Sequence, residues 1–572
     1  MVTLLPAWMA LAAALVPLLG AAGCALPATR DLARRLVPFA ALPALAAAVL
    51  VPDGTASIGW LFTGVTVGFD ATGRTFLALS AVVWTAAALY ALAHPVERPA
   101  WFLGWFSLAM AGNLGLCCVI DPVGFYTFFA MMALSTYALV SHIAPKGRDA
   151  GRAYMAFTVV GEAFLVCGLF VVGATAIGVG PGPLLGPVGI ALLLAAFGIK
   201  IGALGLHGWM PISYAAAPAA AAAALAGSMS KAGVLGLLRF LPGGEAEGVA
   251  FGTVVMAFGV AAAFYGAVVG IMQTVPKVVL AYSSISQLGL ITIAIGAGLA
   301  EPVAWLLAVT AASVYAVHHG LAKAALFIGE DVAARASRRW PAVVALALPA
   351  LALAGAPLTS GSVAKIVLKE VTGLAPAAWY GALDTLLPLA AVGTTLLMAR
   401  FLYLLAFRKD ALSGDEPVAA PRPLAVGSWT LLLAAVAGTV WLWPSVDVGY
   451  AVERSLTAHY VWAGTWPVAL GIALAAGAWA LGGVARRFAG AVPPADVYAP
   501  LLSRADLVIA ERDRRIEATP AASSVPAEAR PGRISSLLDR VRVVEEGLLA
   551  WATAISAVGA LAVLLLLLAI LG

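Results

Sequence analysis

The chain has 572 residues, of which 62% are hydrophobic and only 11% are charged, and its mean hydropathy is +0.99. A soluble protein of this length cannot bury so much apolar surface, so the composition excludes soluble folds and indicates a protein that lies largely within a membrane. The formal net charge of +5 is modest, and loop topology explains it better than a nucleic-acid partner does.

Hydrophobic runs of about 20 residues, the length with which a helix crosses a ~30 Å hydrocarbon core, recur along nearly the whole chain. Strand-like alternation over about ten residues is absent. The sequence therefore predicts an all-α polytopic membrane protein. Sixteen spans are predicted at 4–25, 36–52, 74–93, 101–119, 122–142, 153–178, 184–207, 215–240, 248–273, 277–299, 302–328, 341–371, 378–406, 423–444, 464–484 and 548–571.

The charges of the connecting loops support this count. The first span has no basic residues before it and further spans follow at once, so we interpret it as a membrane helix and not as a cleaved signal. With the N-terminus outside, the inner loops are basic and the outer loops mostly acidic, as the positive-inside rule requires. The basic residues are Arg30, Arg34, Arg35, Lys146, Arg148, Arg152, Lys277, Arg335, Arg338, Arg339, Arg408, Lys409 and Arg422. We expect the bacterial cytoplasmic (inner) membrane, with both termini outside.

A polar stretch, residues 486–547, interrupts the hydrophobic pattern near the C-terminus. Its link, ERDRRIEATPAASSVPAEARPGR, is rich in charge, Ala, Ser and Pro, and the flanks of the link show amphipathic helical spacing. We expect two helices along the inner surface, joined by a flexible link, before a final membrane anchor at 548–572. A disordered loop is the alternative.

The cysteines give no sign of a cofactor. Cys24, Cys117, Cys118 and Cys167 lie in or beside apolar segments, without CxxC or Cys/His spacing. Ligation of a metal, haem or iron–sulfur cluster is therefore not expected. No cofactor and no redox or hydrolytic site of the chain's own is predicted.

Ionisable residues occur inside only a few predicted spans, where each costs at least about 2.5–3.5 kcal/mol unless it is paired or hydrated. A buried lysine near a carboxylate can hold its neutral and charged forms close in free energy, and histidines relay protons. We therefore predict a proton wire in the membrane plane, and for Lys369 and Arg239 the alternative of snorkelling near a span end. Lys200 and His207 are expected on one face of the seventh span. The candidate wire comprises Glu162, Lys200, His207, Lys231, His318, His319, Lys323 and Lys365.

Two of the charged regions are interrupted by predicted helix breaks, around Pro211 and around Pro357. Broken membrane helices tend to line hydrated cavities, because water or protein must satisfy the freed backbone groups. The key lysines lie in spans seven and twelve, and an offset of five spans predicts two inverted five-helix repeats. The predicted division is 1–100 for N-terminal helices, 101–240 and 248–408 for the two half-channel repeats, and 421–485 for additional C-terminal helices.

The stretch GIKIGALGLHGWMPISYAAAPAAAAAALAGSMSKAGVLGLLRF resembles the antiporter-like subunits of respiratory complex I, Mrp cation/proton antiporters and membrane-bound hydrogenases. Their signature is a membrane lysine, His-x-Trp-[Leu/Met]-Pro, a Pro-containing stretch of small residues, and a second lysine before Ala-Gly. Three further blocks, KVVLAYSSISQLGLI, HHGLAKAALFIGE and GAPLTSGSVAK, follow in the family's order. The resemblance covers about residues 60–410, and the C-terminal part looks like the longer members similar to complex I subunit 5, with a much shorter lateral element.

The resemblance implies a role for each matched residue. Lys200 looks like the central lysine of the first half-channel, and Lys365 looks like the terminal lysine of the second. Lys231 would bridge to the middle of the membrane. The axis would continue through His318, His319 and Lys323, and the residues implied to hold water or a nearby helix are Ser284, Ser286, Gln287 and Ser360.

One departure from the family pattern concerns the counter-ion of the first lysine. The family places Trp-Glu in the fifth span, whereas this chain has Phe129 and Ala130 there. The nearest buried acid is Glu162 in the next span. We expect Glu162 to take over as the counter-ion of Lys200, and the alternative is a different conduction route.

Taken as a whole, the resemblance implies a proton-conducting, antiporter-like subunit of a multisubunit complex I-related membrane complex. Its partners would be membrane subunits of a complex I-like (ion-translocating oxidoreductase), Mrp-like or hydrogenase-like assembly, and exchange for Na⁺ stays open. Two alternatives are open as well. One is an energy-coupling subunit of an inorganic-carbon uptake system with a large soluble zinc-bearing partner, and the other is a scaffold subunit that has lost transport.

Overall fold

A computed structural model of the chain describes residues 5–58, 65–142, 146–176, 186–407, 420–439, 448–482, 490–494 and 498. Within these residues, twelve helical segments are long and apolar enough to cross a membrane, and three shorter apolar helices accompany them. The predicted fold class, an all-α polytopic membrane protein, is confirmed. The final predicted anchor at 548–571 lies outside the described residues, as does most of the polar stretch, so the total of sixteen spans stays a prediction.

The elements follow one another in three groups along the chain. The first group is α1 (Leu5–Ala25), α2 (Arg30–Leu36), α3 (Leu42–Leu50), β1 (Gly54–Ile58), β2 (Val65–Phe69), α4 (Ala71–Ala93), α5 (Pro99–Cys117), α6 (Pro122–Val140) and α7 (Lys146–Ala176). The central group is α8 (Gly186–Ile201), α9 (Trp209–Ala216), α10 (Ala219–Ala224), α11 (Lys231–Phe240), α12 (Ala246–Met272), α13 (Pro276–Ala300) and α14 (Trp305–Arg335). The last group is α15 (Trp340–Ala354), α16 (Ser360–Gly373), α17 (Ala377–Phe407), α18 (Pro423–Gly438), α19 (Gly449–Ser455) and α20 (Ala458–Ala480).

Local sequence explains several helix starts. Asp121 caps α6, where its side chain accepts a hydrogen bond from Gly124 N at 2.7 Å and Pro122 occupies the first helical position. An Asp at the N-cap satisfies an otherwise unpaired amide, and proline at that position lacks the amide altogether. The other oxygen of Asp121 accepts from Thr66 N at 2.8 Å, which ties β2 to the start of α6.

The strands β1 and β2 are the one element type that the sequence pattern did not predict. They pair antiparallel, from Gly54 opposite Phe69 to Ile58 opposite Val65. Each strand has only five residues, too few to produce the periodic signal expected of a sheet. They lie in an interhelical connection, so the helical class of the protein is unchanged.

Helix packing separates a buried centre from an exposed rim. The segment α10–α11 and the helix α13 are almost entirely enclosed by protein, whereas α7 and α20 leave most of their span surface uncovered. The helix α12 lies directly against α13, and a side chain at Gly259 would come within 2.8 Å of the α13 backbone. Lys231 belongs to the enclosed segment, whereas Glu162 lies on the partly uncovered helix α7.

The two predicted helix breaks are present, and their positions correct one prediction. The helix α8 ends one residue after Lys200, and α9 begins only at Trp209. In between, Gly202 and Gly205 have φ angles of 67° and 82°, a left-handed conformation that glycine adopts without steric cost. The prediction that Lys200 and His207 share one helical face is therefore wrong, because no continuous helix joins them.

The second break separates α15 from α16, so the predicted span 341–371 consists of two helices. Gly355 ends α15 with a φ of 82°, and Leu358 has a φ of 63°, which is uncommon for a residue with a side chain. A third irregularity is a π-helical turn at Leu225–Met229, between α10 and α11. Lys231 begins α11 one residue after this turn, which Ser230 follows.

Candidate functional site

The candidate charged residues form a row through the buried helices. Lys200 lies on α8, Lys231 on α11, and Lys365 on α16. His318, His319 and Lys323 lie on α14. The π-helical turn before Lys231 packs against this helix, since a Cβ atom at Gly227 would lie 3.1 Å from the Gly320 carbonyl oxygen, and His318 Nδ1 lies 2.8 Å from Ser360 Oγ at the start of α16. The helix α14 therefore lies between the α11 lysine and the α16 lysine.

Lys200 and Lys231 lie on two helices, α8 and α11, that pack closely against each other. A Cβ atom at Gly233, two residues after Lys231, would lie only 3.1 Å from Lys200 Cβ. Lys200 is 7% exposed, and its Nζ lies 3.4 Å from the Tyr154 hydroxyl oxygen. The Nζ also lies 5.3 Å from the centre of the Phe129 ring and 5.8 Å from that of Tyr154. Aromatic faces therefore surround the ammonium group where the family would supply a carboxylate.

Glu162 reaches the same place from α7. Glu162 and Lys200 both line a cavity of ≈ 20 Å³ at the end of α8, and they interact electrostatically. Within the described structure, no direct ion pair joins them, and Glu162 Oε1 is buried without a hydrogen-bond partner. The expected counter-ion thus lies beside the lysine, but not in contact with it.

Lys231 is held by the π-helical turn. Its Nζ donates to the Ala226 carbonyl inside the turn and to Ser230 Oγ at 3.2 Å. A π-helical turn widens the backbone by one residue and leaves carbonyl groups without their usual α-helical donors, which is one reason why such turns are frequent at functional sites. The side chain is 1% exposed, so these bonds replace water around its amino group.

Two of the α14 residues bond to neighbouring helices. Lys323 Nζ donates to the Leu280 carbonyl of α13 at 2.7 Å, and His318 Nδ1 lies 2.8 Å from Ser360 Oγ at the start of α16. His319 is fully buried, and neither ring nitrogen has a hydrogen-bond partner among the described residues. Ser360, which begins α16 after the second break, is therefore bonded directly to His318.

The predicted water-holding residues on α13 mostly bond to protein. Ser284 Oγ donates to Leu280 O at 3.1 Å, the same carbonyl that Lys323 uses, and Ser286 Oγ donates to Ala263 O at 2.8 Å. Gln287 accepts from the Tyr315 hydroxyl at 2.8 Å and donates to Thr394 at 2.9 Å. This last chain of bonds joins α14, α13 and α17.

Lys365 lies beside a larger cavity than Lys200 does. Its Nζ donates to the Ala354 carbonyl, the last of α15, and it lines a cavity of ≈ 110 Å³ between the α15–α16 break, α17 and α20. One water molecule needs about 10–15 Å³ by this measure, so the cavity can hold several. Lys369, one turn further along α16, instead forms an ion pair with Asp384 at 2.9 Å and is partly exposed.

His207 lies in the α8–α9 break, away from Lys200. Its ring contacts Tyr265 and Tyr498 with centroid distances of 5.3 and 5.9 Å. The Tyr498 hydroxyl donates to the Gly205 carbonyl within the break. The few described residues of the predicted inner-surface segment therefore cover this break.

Arg239, the second snorkelling candidate, is anchored by protein groups at the end of α11. Its guanidinium group forms an ion pair with Asp70 at 3.2 Å and donates to the carbonyls of Leu116 and Cys117 at 3.1 and 3.2 Å. The side chain is 7% exposed. Arg239 is thus a structural clamp between α11, α5 and the start of α4.

Several buried polar residues were missed by the sequence reasoning. Tyr154 has a visible signal, because Tyr154, Thr158 and Glu162 recur every four residues and so share one face of α7. Glu330, 7% exposed, lies seven residues after Lys323 on α14. A third group, without any motif, joins α4, α5 and the π-helical turn through Ser80, Trp84, Asn113 and Ser228.

Comparisons with known proteins place this site in a family context. Residues 121–381 match the family described as NADH:quinone oxidoreductase/Mrp antiporter, transmembrane. The chain is 32% identical to NADH-quinone oxidoreductase subunit M of Escherichia coli K12 over 255 residues, which are 40% of this chain and 48% of that subunit. It is 27% identical to F(420)H(2) dehydrogenase subunit N of Methanosarcina mazei over 452 residues, 70% of this chain and 86% of that one.

Among solved structures, the Mrp complex from Dietzia sp. DQ12-45-1b shares the fold with a TM-score of 0.71 and 24% identity. The match covers 98% of this chain and 63% of the Mrp chain. The chain spans about half the length of the E. coli relative, at 48%. The predicted resemblance to the antiporter-like superfamily is confirmed by the family match, the relatives and the shared fold.

Proposed function

We propose, from the match of residues 121–381 to the NADH:quinone oxidoreductase/Mrp antiporter family, that the protein conducts protons as one subunit of a multisubunit membrane complex. The protons would pass along a row of buried groups that begins at Glu162 and Lys200, continues through Lys231, and ends at Lys365. Between Lys231 and Lys365, the row consists of the α14 cluster, namely His318, His319 and Lys323. The observation behind the proposal is the packing of α14 between the helices of Lys231 and Lys365. His318 Nδ1 on α14 lies 2.8 Å from Ser360 Oγ on α16, the helix of Lys365, and a Cβ atom at Gly227, in the π-helical turn before Lys231, would lie 3.1 Å from the Gly320 carbonyl oxygen on α14.

A row of this kind supports conduction for a physical reason. Each buried amine costs several kcal/mol unless it is neutral, paired or hydrated, in a low-dielectric interior. A proton that moves to one lysine therefore raises the free energy of a charge on the next, and protonation states along the row are coupled. Hydrated cavities at the two helix breaks would connect the ends of the row to water.

The partners are proposed from the relatives. The E. coli and M. mazei proteins are named as subunits of oxidoreductases, and the Dietzia protein belongs to an Mrp complex. We therefore expect other membrane subunits to copurify with this chain. A single large soluble zinc-bearing partner would instead favour the inorganic-carbon uptake alternative.

The function is tested with Lys200→Ala in the full chain, purified with its partners and reconstituted into vesicles that contain a pH-sensitive dye. A side chain that relays protons contributes about 10²–10⁴-fold to a rate, so proton movement should fall at least about tenfold while assembly is retained. Lys369→Ala is the matched control, because that lysine is partly exposed and paired with Asp384. Full proton movement by the Lys200 variant would contradict the proposal and favour a scaffold role.

A further inference from the structure

One face of α7 turns polar groups toward Lys200. Tyr154, Thr158 and Glu162 follow one another at intervals of one helical turn, and all three line the ≈ 20 Å³ cavity that Lys200 enters from α8. The rest of the cavity wall is apolar or aromatic, with Phe129 and Trp209 among its residues. The cavity therefore has two charged or ionisable groups and two hydroxyls in an otherwise dry setting.

The polar atoms around this cavity are under-satisfied by protein. Glu162 Oε1 is buried and has no hydrogen-bond partner among the described residues. Lys200 Nζ has the Tyr154 hydroxyl at 3.4 Å, a long contact, and an ammonium group can donate three bonds. The Tyr154 hydroxyl in turn donates to the Ala133 carbonyl at 3.1 Å, so its oxygen keeps a free lone pair for the lysine.

The volume of the cavity determines which small molecule or ion it can hold. A buried water needs about 10–15 Å³ of space for its centre and between two and four polar partners. The cavity offers ≈ 20 Å³, which fits one water molecule, and four polar side chains line it. A Na⁺ ion would need five or six oxygen ligands here and would meet the Lys200 ammonium group instead.

We propose that a single bound water bridges the Glu162 carboxyl group and Lys200 Nζ, and that Tyr154 is the positioning residue that holds Lys200 toward it. This inference rests on the proposed proton conduction and names its first step. Protonated Glu162 gives its proton to the water, and the water passes one of its own protons to neutral Lys200. The products are a carboxylate, an ammonium ion and an unchanged water, and no electrons move.

The same arrangement accounts for the departure at Ala130. An alanine there cannot offer a negative charge to the lysine. The faces of Phe129 and Tyr154 lie 5.3 and 5.8 Å from Lys200 Nζ and attract a cation through their ring quadrupoles. The charged lysine is thus stabilised by rings and by a water-linked carboxylate, instead of by a carboxylate in direct contact.

Three variants in the full-length, reconstituted complex separate the parts of this site. Glu162→Gln removes the proton donor and should lower proton movement at least about tenfold. Tyr154→Phe keeps the ring and removes the hydroxyl, so a several-fold loss is expected. Gly161→Ala adds a methyl group to the cavity wall, and at 3.4 Å from the Ile199 side chain it fits without a clash.

The methyl group of Gly161→Ala narrows a cavity that has room for only one water, so proton movement should fall as in Glu162→Gln. Alanine is a better helix former than glycine, so a folding defect is not expected from this change. Gly381→Ala on α17, which has open space around the new Cβ, is the control and should behave as the unmodified protein. Each variant is compared at equal amounts of assembled complex.

Infrared difference spectroscopy gives a readout that a purely structural role would not move. A water O–H stretching band that shifts when H₂¹⁸O replaces water should be present in the unmodified protein, and this band should be lost in both Glu162→Gln and Gly161→Ala. A cryo-EM map that shows ordered water should contain one density between Glu162 and Lys200. A direct ion pair, or a partner's side chain in the cavity, would overturn the proposal.

The outcomes distinguish this inference from the proposed function. If Lys200→Ala abolishes proton movement but Glu162→Gln and Gly161→Ala do not change it, conduction stands and the water bridge is wrong. If Lys200→Ala has no effect, proton conduction through this row is itself wrong.

Discussion

Replacement of Lys365 by methionine tests whether protons pass both halves of the row in series. Methionine has nearly the same length as lysine without the amino group, so the change removes the charge with little change in volume. In the structure, Lys365 Nζ donates a hydrogen bond to the Ala354 carbonyl at the break between α15 and α16. In a series path, Lys365→Met should lower proton movement as much as Lys200→Ala, at least about tenfold.

The same substitution should change stability far less than transport. The lost hydrogen bond from a charged group is worth about 1.5–3 kcal/mol. The ≈ 110 Å³ cavity beside Lys365 has room for water, and water can satisfy the Ala354 carbonyl at little cost. We therefore expect a net loss of about 1 kcal/mol or less in the free energy of unfolding.

The assay measures proton movement in dye-loaded vesicles and, in parallel, the thermal unfolding of the same complex. Lys369→Met is the comparison on the same helix. Lys369 lines the same cavity as Lys365, but its amino group is partly exposed and paired with Asp384, a pair that contributes about 0–1 kcal/mol. If Lys365→Met conducts normally while Lys200→Ala does not, the two half-channels do not work in series and a single path through the first half is the better description.

Three further predictions address other parts of the site. Glu162→Gln should slow transport strongly, and adding Ala130→Glu should restore part of it in the same vesicles; no recovery would argue against Glu162 as a substitute counter-ion. Gly361→Ala would place Cβ 1.8 Å from the α15 backbone, so the amount of assembled protein should drop well below that of the unmodified chain, and normal yields would contradict this packing. Tyr498→Ala should speed hydrogen exchange in the break at 202–208, because the tyrosine covers it; unchanged exchange would show that the cover is dispensable.

The membrane architecture could be predicted from the sequence because its cause is local. A lipid core demands runs of apolar residues of a set length, and hydropathy records them directly. Each of the first fifteen predicted spans overlaps a helix of the described structure. The lysines and histidines were visible for the same reason, since an ionisable residue in an apolar run stands out without any knowledge of the fold.

The local sequence predicts the ends of helices less well than it predicts their presence. The sequence around Pro211 indicates an interruption, but Pro211 itself lies inside α9, and the sequence does not indicate that α8 ends just after Lys200. That position depends on Gly202 and Gly205 adopting left-handed backbone angles, which packing selects from the several conformations open to glycine. For this reason, Lys200 and His207 do not share a helical face, and the prediction that they would was wrong.

Cross-helix contacts were decided by the tertiary structure alone. The four-residue spacing of Tyr154, Thr158 and Glu162 places them on one face of α7, but only the packing of α7 against α8 turns that face toward Lys200 and leaves a water-sized cavity between them. Likewise, the bond between His318 and Ser360 joins residues of two helices. A sequence periodicity specifies directions around one helix axis, whereas a distance between two helices depends on the shapes of all the side chains between them.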